Sequence, residues 1–263
     1  MKVIAIANQK GGVGKTTTAV NLSTALAAAH KRVVLIDLDA QGNATRNLQT
    51  TTRFAHNSYT VLTKRSTMLQ SIITTCIPRL SLLPASPDLA SLDIELANEQ
   101  KRERRMHHVL SDFLSTTNAP PDAHPYDYAF IDCPPGLGLA TLNALVAAHL
   151  VLIPMQCEFF ALMGLAQLMH TIRRVKCNFN ATLDIMGIVL TMFDERHTLC
   201  QRVAQDVEKH FPNITFTTKI PRNIRVSESS LYSKPVLLHD TRCGGSLAYI
   251  KLAKEFLIKE KIS

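Results

Sequence analysis

Residues 10–17 read Lys-Gly-Gly-Val-Gly-Lys-Thr-Thr, and they stand directly between an apolar, β-branched run, Val3 to Ala7, and a segment with Ala19, Leu22 and Leu26 at helical spacing. A loop this rich in glycine can curl so that successive backbone N–H groups point into one concavity. The helix that follows adds the positive end of its dipole to the same place. The chain is therefore committed early to a strand, a tight turn and a helix, with an anion trap at the junction. Gly11, Gly12, Val13, Gly14, Lys15, Thr16 and Thr17 are the expected phosphate-binding residues. Lys15 would neutralise β- and γ-phosphate oxygens of a nucleoside triphosphate, and the Thr16 hydroxyl would serve a magnesium ion bridging them.

The rest of the chain repeats the strand and helix alternation. Val33–Ile36, Leu80–Leu83, Tyr128–Ile131, Leu150–Ile153 and Ile185–Met192 are short apolar runs without a polar face, as strands buried on both sides of a parallel sheet read. Helix-period segments are expected at Thr16–Ala29, Leu89–Glu103, Leu139–Ala148, Leu162–Val175 and Leu199–Phe211. The pattern predicts an α/β fold, a doubly wound, mostly parallel sheet flanked by helices, in a single domain spanning residues 1–263. Gln49–Pro78 shows no clear strand and predicts short helices at the rim, while Thr116–Pro125 predicts a loop. The basic run Lys101-Arg102-Glu103-Arg104-Arg105 is expected on a solvated helix face.

Composition narrows the setting. With 46% apolar residues in 263, the chain can bury a core without disulfides or metal. Its six cysteines form no CxxC pair. No apolar run approaches membrane-spanning length and the N-terminus has no signal-peptide layout, so the expected location is the cytoplasm. The net charge is +8, and from Arg196 onward twelve Lys and Arg face six Asp and Glu, so most of the excess lies in the last third. A basic face for a polyanion would produce that bias.

Two further motifs follow strands. Tyr128-Ala129-Phe130-Ile131-Asp132 ends an apolar strand in a carboxylate, which places Asp132 to hold a magnesium-bound water or the Thr16 hydroxyl. In the following Cys133-Pro134-Pro135-Gly136-Leu137-Gly138, the Gly136 amide can approach a γ-phosphate because no side chain intervenes. Asp37-Leu38-Asp39-Ala40-Gln41-Gly42-Asn43 lies where the second strand should meet the carboxyl edge of the sheet, the edge at which open α/β proteins bind ligands.

A second lysine, Lys10, at the head of the glycine loop is the mark of the deviant Walker group, and the chain resembles its ParA/Soj family of DNA-partitioning ATPases. The resemblance extends from Met1 to the final helix. It is carried by the loop, by DxDxQG at Asp37–Gly42, by Pro154–Leu162, by Thr191-Met192-Phe193-Asp194 and by Ile220-Pro221-Arg222-Asn223-Ile224-Arg225. It implies that Lys10 reaches the phosphates of a partner subunit in an ATP-dependent homodimer, that Asp39 orients the attacking water, and that Asp37 supports the magnesium shell. Lys10, Lys15 and Asp39 are thus the implied catalytic set, with Thr16, Asp37 and Asp132 around the metal. Met192, Pro221 and Asn223 are the implied base-side contacts. The family's partners would be non-specific DNA, met here by Arg196, Arg222 and Arg225, and a ParB-like activator. The resemblance also implies association with the nucleoid. Three positions depart from the family pattern: Met163 replaces a usual glutamate, and Ser229-Ser230 and Leu231-Tyr232 replace an Ala-Pro and a Gly- or His-containing turn. The alternative is a MinD-like membrane-cycling ATPase, which needs an amphipathic membrane tail; Leu247–Ile258 is amphipathic but is expected to dock on the body, leaving no stable membrane association.

Overall fold

The computed structural model describes residues 1–49, 53–116 and 126–260. The loop expected at Thr116–Pro125 therefore falls almost wholly outside the described residues. Among those described, seven strands form one sheet: β1 Lys2–Ile6, β2 Val33–Asp37, β3 Ile73–Thr74, β4 Leu80–Leu83, β5 Tyr128–Asp132, β6 Leu150–Gln156 and β7 Asp184–Thr191. Their order is β3-β4-β2-β5-β1-β6-β7, all parallel except the edge pair β3 and β4. Outward from β1 the strands are β6 and β7 on one side and β5, β2, β4 and β3 on the other, so the sheet is wound in both directions from β1.

Helices cover both faces. They are α1 Lys15–Ala28, α2 Asn43–Leu48, α3 Ser58–Leu62, α4 Met68–Ser71, α5 Leu92–Glu95 and α6 Arg105–Thr116, then α7 Leu139–Ala147, α8 Ala161–Asn178, α9 Thr198–His210, α10 Ile224–Leu231, α11 Val236–His239 and α12 Gly244–Glu260. Alternate residues of β1 feed two separate cores. Val3 and Ala5 pack with residues of α6 to α9, while Ile4 and Ile6 pack with residues of α1 and α12. A strand buried on both faces has no polar register, and this is why its sequence is uniformly apolar.

The C-terminal helix α12 lies along α1 and buries Tyr249, Leu252 and Phe256. Phe256 closes against Tyr128 and Phe130 with ring centroids 5.5 and 5.6 Å apart. The helix docks on the body, as its spacing predicts. No helix among the described residues is long and apolar enough to cross a membrane.

Two expectations need correction. Leu89–Glu103 is not one helix. Ser86 caps a 3-10 turn at Pro87–Ser91, α5 lasts four residues, and Lys101 takes a left-handed conformation, φ 55°, that interrupts any helical continuation. The basic run is split accordingly: Arg102–Arg104 form a 3-10 turn, while Arg105 is buried and ion-paired to Glu99. The second correction is β3. It is a two-residue antiparallel edge strand inside the segment expected to hold only short helices, and it is too short to leave a periodic signal.

Candidate functional site

The loop between β1 and α1 takes the shape that its glycines allow. Gly12 and Gly14 have φ of 74° and 83°, and Gly14 precedes α1 directly. A Cβ on Gly14 would meet Thr191, whose hydroxyl donates to the Val13 carbonyl at 2.8 Å and so pins the loop to the end of β7. Lys15 is buried, and its ammonium donates to the Lys10 carbonyl at 3.0 Å, closing the loop on itself. Burial lowers its pKa, while Asp132, Cys133 and Asp39 pull the other way. A buried ammonium facing a carbonyl and nearby carboxylates is a partly compensated cation, suited to an anionic ligand.

Behind the loop the strand register sets two carboxylates side by side. Asp37 at the end of β2 pairs across the sheet with Asp132 at the end of β5, and both are fully buried. They are not equivalent. Asp37 accepts hydrogen bonds from the Thr45 amide and hydroxyl, each 2.8 Å, and from the Asp39 amide at 3.1 Å, so it fastens the start of α2 to the turn after β2. Its pKa is nevertheless pushed up to about 6, chiefly by burial. Neither oxygen of Asp132 has a hydrogen-bond partner of good geometry among the described residues. Burial first, and Asp37 second, push its pKa well up, opposed by the neighbouring Thr16 hydroxyl and Lys15. An orphaned buried carboxylate beside a threonine hydroxyl is costly unless a cation or its waters fill the gap. The donor set fits magnesium, a hard ion that keeps its waters and is held through one or two carboxylates plus phosphate.

In front of these groups opens a cavity of about 700 Å³. Its wall brings together Gly11, Gly12, Gly14, Lys15, Thr16, Thr17 and Asp39 on one side, and Met192, Pro221 and Asn223 on the other. Asn223 accepts from the Arg225 amide at 2.9 Å and caps α10, which fixes its place in that wall. Met192 sits at φ 48°, an uncommon conformation for a non-glycine residue, where β7 turns past the cavity. Val13, Asp37 and Asp132 lie beneath the wall, and Gly136 lies beside it on the next loop, where its amide donates to the Gln9 carbonyl at 3.0 Å. Lys10 points elsewhere: its ammonium is ion-paired with Glu158, just after β6.

Of the three arginines singled out in the basic C-terminal third, Arg222 lines both this cavity and a neighbouring groove that contains Arg196. Arg225 stands apart, bound to Glu228 at 2.9 Å and near Asp240. Sequence reasoning assigned no role to several residues the structure draws in. Glu158 partners Lys10. Asp93 on α5 accepts from the Leu139 amide at 3.2 Å, anchoring the start of α7 after the Gly136 loop. Tyr249 on α12 reaches the cavity, its hydroxyl 3.4 Å from that of Thr18. Glu158 and Tyr249 each sit in a segment with a legible motif or apolar face, whereas Asp93 lies in Leu89–Glu103, whose helical spacing is broken in the fold.

Fold and loop together define a P-loop nucleotide-binding protein with a second lysine at the head of the loop. A family model described as an AAA domain matches residues 1–185. The chain is 47% identical to the chromosome partitioning protein ParA of Caulobacter vibrioides, covering 99% of this chain and 96% of that one. It is 44% identical to the sporulation initiation inhibitor protein Soj of Bacillus subtilis, covering 97% of each. Among solved structures it is similar to cobyrinic acid a,c-diamide synthase from Mycobacterium smegmatis with bound ADP and magnesium, at 32% identity, TM-score 0.83, and coverage of 99% and 96%. The chain belongs to the ParA/Soj family of chromosome-partitioning ATPases.

Proposed function

We propose that this single-domain protein binds ATP with magnesium, dimerises on it, hydrolyses it slowly, and in the ATP-bound dimer holds DNA without sequence preference while partitioning a replicated DNA molecule. The observation that carries this reading is the pairing of Lys10 and Lys15 in one loop in front of the unpartnered Asp132. Lys15 and the loop amides take the β- and γ-phosphates, and Asn223, Pro221 and Met192 receive the base. Magnesium, when bound, supplies charge neutralisation between the two terminal phosphates. Thr16 and Asp132 would hold it, and Asp37 keeps the turn that carries Asp39 in place. Asp39 accepts a hydrogen bond from the water that attacks the γ-phosphate.

Lys10 leaves Glu158 and reaches the phosphates of the second subunit, so charge developing in the transition state meets a cation supplied in trans. Hydrolysis is then tied to dimer formation. The Gly136 amide exchanges the Gln9 carbonyl for a γ-phosphate oxygen, which makes its loop sensitive to hydrolysis. Arg196, Arg222 and Arg225 supply DNA contacts; two subunits double that charge and raise avidity. A ParB-like protein would stimulate turnover and release, on a nucleoid-bound pool. The apolar side of α12 is buried against α1, which weighs against a membrane-cycling role.

The test is size-exclusion chromatography of the Asp39→Ala variant with ATP or ADP, with and without a short duplex. A dimer with ATP alone, shifted further by DNA, is the expected result. A monomer in every condition would overturn the dimer and its trans lysine.

A further inference from the structure

The base-side cavity and the basic groove lie back to back. Phe193 bridges to Pro221, with the Phe193 amide donating to the Ile220 carbonyl at 2.9 Å and the Arg222 amide to the Phe193 carbonyl at 3.0 Å. Met192 and Asn223 face one cavity, while Asp194, Arg196, Lys219 and Lys251 line the other, a groove of about 920 Å³ that shares Pro221 and Arg222 with the first. Four cations on one groove form a surface for a phosphate backbone. Two of them already have an anion of the same chain. Lys219 meets Glu208 at 2.8 Å. Arg196 is gripped more fully: its Nε and a terminal guanidinium nitrogen donate to the two oxygens of Asp194 at 2.9 and 2.8 Å, and its amide donates to the same carboxylate at 3.1 Å.

The burial of this pair is lopsided. The Asp194 side chain is 12% exposed and that of Arg196 is 87% exposed. The arginine is in solvent where a phosphate could reach it, yet the Nε edge of its fork, one of the two that can bind an oxyanion pair, is spent on a neighbour two residues away. A two-pronged guanidinium contact is the geometry by which arginine binds phosphate as well as carboxylate. A phosphate taking that edge must displace Asp194, and one approaching the other edge meets a guanidinium whose charge the carboxylate already offsets.

We propose that Asp194 is an intramolecular competitor for the phosphate that Arg196 would otherwise bind, holding the basic groove below its full strength. The inference rests on reading the groove as a DNA-binding surface and adds the acidic residue that limits it. A weak grip is useful in a protein that must leave DNA after each cycle, and the competitor's place beside the base-side ladder puts it next to the ligand that starts that cycle.

The test measures affinity for a short duplex of arbitrary sequence across a salt series, with ATP, for the wild type, Asp194→Asn and Asp194→Asn/Arg196→Ala. Asparagine keeps a side-chain oxygen for the Arg196 amide and removes the charge. Asp194→Asn is expected to bind about two- to fivefold more tightly, the range in which exposed ion pairs act. Its log affinity against log salt should steepen by about one per protomer, because a freed arginine releases a counterion that a masked one does not. The double variant should lose both gains. Unchanged affinity and slope in a folded Asp194→Asn would overturn the proposal, as would gains that survive removal of Arg196, since they would come from the general field. If the asparagine variant is unstable, Asp194→Ser keeps a capping oxygen without charge and is read the same way. Wild-type protein that binds no duplex with ATP would sink the DNA-binding reading itself, an outcome separate from either of these.

Discussion

Asp132 and Asp194 both follow parallel strands toward the same edge of the sheet, yet they live in opposite electrostatic worlds. Asp132 is fully buried, has no hydrogen-bond partner of good geometry among the described residues, and is pushed toward its neutral form by burial and by Asp37. Asp194 has a guanidinium two residues away that holds its carboxyl well below the usual range. The contrast shows that a carboxylate's availability is decided by what the fold places next to it. One is left wanting a cation, and the other has been given one. The first is a site in waiting; the second acts only by occupying its partner.

The comparison breaks most visibly at Lys15. Lys15→Ala removes the ammonium proposed to face the phosphates, which also partly offsets Asp132, and the ATPase rate is expected to fall by about 10³-fold, as loss of a preorganised charge does; a steady-state phosphate-release assay reads it. Next comes Asp132→Asn, which should cost turnover about 10²-fold or more and yet raise the melting temperature of the magnesium-free protein. Removing an unsatisfied buried charge is worth about 1–3 kcal/mol, or roughly 2–4 °C for each kcal/mol in a chain of this size. A melting point that falls would mean Asp132 is satisfied in some way its surroundings do not reveal.

The same pair predicts a pH trend in magnesium-free buffer. Below the ordinary carboxyl value of 3.8, folded and unfolded chains both hold these protons, and the pair brings no penalty. Between 3.8 and about 6, the unfolded chain ionises first while folded Asp37 keeps its proton, so stability falls as pH rises and Asp37's share of the penalty is complete above that window, with Asp132, also held up by burial, acting in the same direction. Thermal melts from pH 7 to pH 5 should therefore show a gain from this pair that magnesium with nucleotide suppresses. At the small end, Arg225→Ala breaks exposed contacts to Glu228 and Asp240, and chemical denaturation should register no more than about 1 kcal/mol, less in high salt.

Much of this was readable from the chain. The glycine loop dictated a strand, turn and helix, and the apolar runs marked every core strand, because a parallel sheet covered on both sides leaves no polar residue to confuse the pattern. Lys15, Asp39 and Asn223, each carried by a motif legible in the sequence, stand around one cavity. What escaped depends on distance in sequence or on a single backbone angle. The partnership of Lys10 with Glu158 joins residues 148 positions apart. The break at Lys101 is one left-handed residue in a stretch whose composition favours helix. The segregation of Arg196 from Arg225 into separate surroundings follows from how α10 and the ladder at Phe193 pack, which no local pattern encodes.

The bond from the Gly136 amide to the Gln9 carbonyl gives the resting protein a seat that is already taken. In the proposed nucleotide cycle, a nucleotide with two phosphates would have nothing to offer in exchange, while one with three would bring an oxygen to claim the donor. Telling the two apart then needs no larger pocket and no extra recognition residue, only a main-chain proton with a choice of two hosts. In the cycle proposed above, departure of the third phosphate would return the proton to Gln9 and reset the loop for another round.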